Sequence, residues 1–343
     1  MPKRLVFVLV LLVPVLALSG CKKAPEEPAA PTPIQLSYSI FFPPVHAQNK
    51  AAEAWAEEIE KRTEGAVKIN MFPGGTLTPA AEVYDGVAKG ISDIGMSCFA
   101  YTRGRFPVME AVDLPMGYPD GRTATLAANA FYQETRPKEL DDVHVLYLHA
   151  HGPGLLHSKK PVRTLEDVRG MKIRSTGLSS KVVEALGGVP VAMPQGSTYE
   201  ALQKGVAEGT FAPIETLKGW KQAEVIDYTT DSRNVGYTTA MFVVMNRDRW
   251  NRLTPELQNV FTEVSREWIA VHGAAWDEAD EEGLEFTRSL GNEILTLEPE
   301  EAKRWKDAVA PVIDGYKAEV AARGIDGEKK VRLLQDLAAK GAQ

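Results

Sequence analysis

Leu165-Glu166-Asp167-Val168-Arg169-Gly170-Met171-Lys172-Ile173-Arg174-Ser175-Thr176-Gly177 is the stretch on which the reading of this chain turns. Its second half is a short apolar strand that runs straight into a Ser/Thr/Gly turn, with Arg174 at the strand's end. An unpaired charge inside a protein costs several kcal/mol, so a buried Arg174 calls for an anion. The planar guanidinium fork suits a carboxylate, which it meets with two parallel charge-assisted hydrogen bonds. That carboxylate can belong to a ligand or to an Asp or Glu of the protein, and the motif alone leaves both open.

Outward from this strand, strand-like and helical segments alternate, the pattern of an α/β architecture. Ile34 to Ile40 alternates apolar and polar residues, and Ala51, Ala52, Trp55, Ala56 and Ile59 recur at helical spacing. Val67 to Phe72 reads as a strand ended by the Pro73-Gly74-Gly75 turn. Thr78-Pro79 reads as the N-cap and first position of a helix to about Lys89. Ile94 to Ser97 is a strand, and in Val143 to Ala150 the residues Val143, Val145, Tyr147 and His149 are expected on one face. A helix from about Ser179 ends at Gly187-Gly188, and Ser197-x-x-Glu200 has the pattern of a capping box, with Gly205 as the C-terminal stop. Thr239 to Met245 is a buried-strand candidate. Pro255 to about Leu290 predicts one unusually long helix, and helices over about Pro299 to Ala322 and Gly327 to Ala339 close the chain.

The start of the chain reads differently. Lys3 and Arg4 precede an apolar run from Leu5 to Leu18, the pattern of a secretory signal over residues 1–20. Leu18-Ser19-Gly20-Cys21 resembles a bacterial lipoprotein cleavage box, with Cys21 as the lipidated first residue. Residues 21–33, with four Pro and several Ala and Glu, make a tether too poor in apolar side chains to fold. The 310 residues from 34 to 343 exceed what one core usually serves, so two domains are expected. A net charge of −7 without a basic cluster argues against nucleic acid. Beyond Cys21 the only cysteine is Cys98, which leaves no internal disulfide.

Signatures of catalysis are missing: the sequence has no HExxH, GxSxG, Walker loop or GxGxxG. His149 and His151 raise the question of a metal, for which hydrogen-bonded strand histidines are the plainer reading, so neither metal nor cofactor is expected. Cys98 has no assignable His partner and reads as a small buried thiol rather than a nucleophile.

From about Ile34 onward the chain resembles the DctP-type solute-binding proteins of TRAP (tripartite ATP-independent periplasmic) transporters. Seven landmarks fall in that family's order: Ala51-Ala52-x-x-Trp55, Phe72-Pro73-Gly74-Gly75-x-Leu77, Val87-x-x-Gly90-x-x-Asp93-Ile94-Gly95, Asp113-Leu114-Pro115, the stretch Leu165 to Arg174, Tyr199 to Gly209, and Trp250-x-x-Leu253-Thr254-Pro255-Glu256-Leu257-Gln258. The resemblance implies a periplasmic-binding-protein-like fold with two α/β lobes, an interlobe cleft and a long bridging helix. Carried onto this chain, lobe one is 34–151 plus 238–278 and lobe two is 152–237 plus 279–343. It also implies no enzyme but an extracytoplasmic, lipid-anchored receptor whose Arg174 clamps a substrate carboxylate and which delivers its ligand to a membrane permease.

Where sialic-acid-binding relatives place polar or charged groups, this chain has Phe41, Phe42 and His46 in the first strand-to-helix loop. It has Cys98 and Tyr101 in place of a carboxylate and an Arg, Gly154 in place of a second Arg, and Phe211 and Ala212 in place of a Glu and an Asn. Such a cleft would strand a sugar's hydroxyls, at about 1–3 kcal/mol for each unmade hydrogen bond. It suits instead a monocarboxylate or 2-oxo acid with an apolar or aromatic tail. Tyr101 or His46 would add hydrogen bonds, Gln195 and Glu215 would be polar contacts, and Phe41, Phe42 and Phe211, with Trp220 a further aromatic candidate, would enclose the rest. Glu215 could meet an ammonium group or pair with a neighbouring Lys. The alternatives are a C4-dicarboxylate or amino-acid binder of the same family, a sensor subunit presenting its ligand to a membrane kinase, or an exported enzyme using Cys98.

Overall fold

The computed structural model describes residues 32–341. The signal segment, Cys21 and all of the tether but its last two residues lie outside them. In chain order the elements are β1 (Ile34–Ile40), α1 (Ala47–Arg62), β2 (Val67–Phe72), α2 (Val83–Ala88), β3 (Ile94–Cys98), α3 (Gly121–Thr135), β4 (Val143–Ala150), β5 (Leu155–Ser158), α4 (Leu165–Val168), β6 (Lys172–Ser175), α5 (Ser179–Ala185) and β7 (Val189–Ala192). There follow α6 (Thr198–Gln203), β8 (Gly209–Ala212), α7 (Thr216–Gly219), β9 (Tyr228–Asp231), β10 (Ala240–Asn246), α8 (Arg247–Arg252), α9 (Pro255–Ser289), β11 (Glu293–Thr296), α10 (Pro299–Val309), α11 (Pro311–Ala321) and α12 (Gly327–Gly341).

The strands form two sheets, ordered β2-β1-β3-β10-β4 and β11-β9-β5-β8-β6-β7. β1 runs parallel to β2 and β3, and β6 runs parallel to β7 and β8. The carboxyl ends of β1, β3 and β6 therefore open onto loops, where ligands of open α/β sheets bind. The chain passes between the sheets after β4, after β9 and along α9. With Thr254 capping its start, α9 runs 35 residues, about 52 Å at 1.5 Å per residue. It packs on α1, α3 and β4 beside the first sheet and on α7 and β11 beside the second. No helix among the described residues is long and apolar enough to cross a membrane.

Several local expectations differ from the structure. Thr78-Pro79 opens no helix: the Thr78 hydroxyl is 2.5 Å from that of Ser39 on β1, and α2 begins only at Val83. Ser197 makes no capping bond, because a tight turn over Gln195–Ser197 already feeds α6, whereas a true capping box joins Thr164 and Asp167 at the start of α4. A β-bulge in the β4–β10 pairing breaks the alternation of β4, so Val143 and Tyr147 join different cores. Pro311, which lacks an amide hydrogen, ends α10 at Val309 and starts α11. Finally, α12 returns to α3, where Ala338 packs with Ala124 and Ala127, and the Thr123 hydroxyl donates to the Gly341 carbonyl. Residues 327–341 thus pack against the first sheet's helix α3 as well as against α11.

Candidate functional site: a cavity around Arg174

Between the two sheets lies a cavity with about 390 Å³ of empty space, part of it open to solvent. The first sheet's side supplies Phe41 and Phe42 after β1, Cys98 and Tyr101 at the end of β3, and Thr239 and Met241 at the start of β10. The second supplies Arg174 and Thr176 from β6, Gln195 after β7, Phe211 and Ala212 from β8, and Glu215, Thr216 and Trp220 around α7. His151, Tyr237 and Trp276 sit on the three crossings between the sheets.

Arg174 is 3% exposed. Its Nε and Nη2 donate to the Met193 carbonyl at 3.1 and 2.9 Å. Among the described residues no carboxylate lies within 4.0 Å of the guanidinium, although other arginines of the chain are paired in this way. Asp113 is buried nearby, but burial pushes its carboxyl well above the ordinary range. Its Oδ1 accepts from the Ala240 amide, and its Oδ2 has no partner. Among the described residues Asp113 makes no ion pair with Arg174, and its raised pKa weakens it as a counterion.

The walls are aromatic. Phe41 meets Tyr101 edge to face at 5.5 Å and lies near-parallel to Trp220 at 6.1 Å, and Phe211 stacks on Tyr237 at 4.9 Å. Tyr101 also joins the two sides, since its hydroxyl accepts from the Gln195 amide at 3.1 Å. The Gln195 side-chain Nε2 is buried without a partner. Gly154 stands where the ring of Tyr237 fills the space: a Cβ there would lie 1.7 Å from Tyr237 Cε1. With Tyr237 in this position, no arginine side chain fits at residue 154.

Of the residues named from sequence, Arg174, Tyr101, Phe41, Phe42, Cys98, Gln195, Phe211, Ala212 and Glu215 all line this cavity, as does Trp220; His46 does not. The His46 Nδ1 accepts from the Gln48 amide at the start of α1, so its Nε2 carries the proton and donates to Glu215 Oε2 at 2.9 Å. Both nitrogens are engaged inside the protein, which removes His46 as a direct ligand contact. The same bond corrects the expectation for Glu215: its partner is His46 from across the cavity, while the neighbouring Lys218 pairs with Glu282. Burial pushes the Cys98 thiol far up, and a protonated thiol is a poor nucleophile. Among the described residues no cluster of three or more His, Cys, Asp or Glu is arranged to hold a metal.

Sequence reasoning missed His151, Tyr237, Thr239, Met241 and Trp276. Trp276 continues the buried stripe of α9 and carried no separate signal. His151 and Tyr237 lie at the chain crossings, whose meeting point no local pattern specifies.

A buried guanidinium without a counterion, facing a small aromatic cavity between two sheets, is the arrangement of a receptor for a small organic anion. Residues 38–319 match the family described as "Bacterial extracellular solute-binding protein, family 7". The chain belongs to this DctP family, the solute-binding proteins of TRAP transporters. It is 27% identical over 310 residues to the C4-dicarboxylate-binding periplasmic protein DctP of Rhodobacter capsulatus, spanning 88% of this chain and 92% of that one. A TRAP periplasmic solute-binding protein from Desulfovibrio salexigens is 34% identical, with a TM-score of 0.79 over 90% of this chain and 97% of that one. A TRAP solute-binding protein from Rhodoferax ferrireducens, in complex with copurified benzoate, is 26% identical with a TM-score of 0.85, over 90% and 98%. These homologues are solute-binding receptors, not enzymes.

Proposed function

We propose that this chain captures a small monocarboxylate with an apolar or aromatic tail outside the cytoplasm and delivers it to TRAP permease subunits. The observation that carries the reading is Arg174, buried in a cavity with aromatic walls and no carboxylate of its own. Its free donors would take the ligand's carboxylate, and Phe41, Phe42, Phe211 and Trp220 would cover the tail. The benzoate held by the Rhodoferax ferrireducens protein is a ligand of this kind. A C4-dicarboxylate fits less well, because Arg174 is the sole arginine or lysine among the described residues lining the cavity, and Glu215 adds a further carboxyl to its wall.

The halves 34–151 plus 238–278 and 152–237 plus 279–343 would move as lobes about the crossings. A ligand touching both walls would favour the shut state, in which Tyr101–Gln195 and His46–Glu215 bridge the cleft. Lipid attachment at Cys21 would hold the receptor near its permease.

A thermal-shift screen across organic acids, neutral sugars and polyamines tests the reading. Ligand at a hundred times its dissociation constant adds about 2.7 kcal/mol of stability. Aromatic or apolar monocarboxylates should raise the melting point; a response confined to sugars or polyamines would refute the proposal.

A further inference from the structure

We infer that His151 is a specificity-determining residue of this cavity and selects acids that carry a hydroxyl group. The inference rests on the carboxylate reading above and goes beyond it by naming the ligand's second polar group. His151 follows β4 at the first crossing between the sheets and lines the cavity. Its Nδ1 lies 2.5 Å from the Gly152 carbonyl oxygen, which can only accept, so that nitrogen carries the ring proton. In the neutral ring Nε2 is then a lone-pair acceptor, and the ring's one hydrogen bond among the described residues is the one at Nδ1. Burial holds the ring's pKa down at about 4, with the Arg174 charge a further cause, so the ring is neutral at pH 7.

The imidazole is also fixed in place. Tyr237 meets it edge-on at 5.7 Å and Trp276 at 6.1 Å, and the Thr238 hydroxyl donates to its backbone carbonyl. Gly152 permits the close turn beneath it, since a Cβ there would fall 2.2 Å from Asp280 Oδ2 on α9. The cavity therefore offers donors at Arg174 and at the unpartnered Gln195 Nε2, and a rigid acceptor at His151. A ligand with only a carboxylate leaves that acceptor unpaired once water is expelled. A hydroxyl on the tail or beside the carboxylate pairs it. A keto group in the same place presents a second acceptor, so the hydroxy acid is preferred over the corresponding 2-oxo acid.

Calorimetric titration of the wild-type protein with benzoate, 3-hydroxybenzoate and 3-methoxybenzoate, and with phenylacetate, mandelate and phenylglyoxylate, tests this. In at least one series the hydroxy acid should bind about tenfold tighter than its unsubstituted, methylated or keto counterpart. His151→Phe should abolish that preference, bringing each hydroxy acid to within about threefold of its unsubstituted counterpart in the same variant. Equal binding across both series, or a hydroxyl preference that persists in His151→Phe, would overturn the assignment and leave the carboxylate reading standing. If His151→Phe does not fold, the methyl ether in the wild-type protein decides: it retains bulk and an acceptor but has no proton to donate, so binding as tight as that of the hydroxy acid would overturn the assignment. Failure of every acid to bind would sink the carboxylate reading and this inference together.

Discussion

Replacing Gly154 with Ala should destabilise the protein through one identifiable collision. The new Cβ would lie 1.7, 2.2 and 2.6 Å from three ring atoms of Tyr237. Ordinary carbon contacts begin near 3.5 Å, so the ring must withdraw by about 2 Å. Tyr237 is 1% exposed, its hydroxyl donates to the Phe211 carbonyl at 2.7 Å, and its ring stacks on Phe211. Forced overpacking costs about 1–3 kcal/mol, and the lost hydrogen bond about 1 kcal/mol more. A total near 3 kcal/mol corresponds to a fall of about 5 °C in melting temperature for a chain of this size. Differential scanning calorimetry reads this directly, and acid affinity should fall with it, because Tyr237 and Phe211 are both cavity wall. In a double-mutant cycle with Tyr237→Ala the clash disappears, so the added cost of Gly154→Ala should drop below about 1 kcal/mol. A single variant melting within a degree of wild type would refute the claim that Tyr237 is locked in that wall.

Removing the bridge across the cleft should weaken binding: Glu215→Ala loses the His46 partner at 2.9 Å, and hydrogen bonds to charged groups contribute about 1.5–3 kcal/mol. Calorimetry should then show roughly ten- to a hundredfold weaker acid binding, and unchanged affinity would show that the pair plays no part in closure. Acid should also act through the buried histidines. His157, between the Thr229 hydroxyl and the Ala212 carbonyl, has its pKa lowered to about 4 by burial, against about 6.5 in the unfolded chain. The unfolded state therefore binds the extra proton, and stability falls as pH drops from about 6.5 to 4, by about 1.4 kcal/mol per pH unit for this group. Buried carboxyls with raised pKa, such as Glu139, act in the opposite sense. The measurable quantity is thus the difference between wild type and His157→Gln in denaturant titrations. The variant should lose one proton's worth of slope across that window, and identical slopes would contradict the assignment. At the far side of α9, Gly283→Ala places a Cβ 2.4 Å from the Ile214 carbonyl and should cost about 2 kcal/mol in urea unfolding, whereas a neutral result would mean that α9 and α7 pack less closely than described.

Elements with strong local signals were legible in the sequence. α9 was read to within a residue or so, because no Pro interrupts it and Thr254-Pro255 marks its start. β1, β2, β3, β6 and β10 were read from alternation or apolar runs, and Arg174 from its place at a strand end. The short strands β5, β7, β9 and β11 went unread, since four residues carry too little periodicity and their pairing is decided across the sheet. Pro311 was a visible breaker that the helical stripe on either side of it masked. In the site, residues that follow a strand in sequence were found, whereas those brought in by a chain crossing were not. His46 shows the limit from the other side. Its place in the loop after β1 was legible, but only the fold reveals that Gln48 and Glu215 occupy both its nitrogens.

The central claim is that Arg174 awaits a ligand's carboxylate, and titrating Arg174→Ala beside wild type with one bound acid tests it most directly. Cutting away one member of a buried, hydrogen-bonded charge pair costs about 2–5 kcal/mol. The account predicts at least a thirtyfold loss of affinity, with a melting temperature for the unliganded variant no lower than wild type, since an unpaired buried charge has gone. Undiminished affinity in a folded Arg174→Ala protein would contradict it.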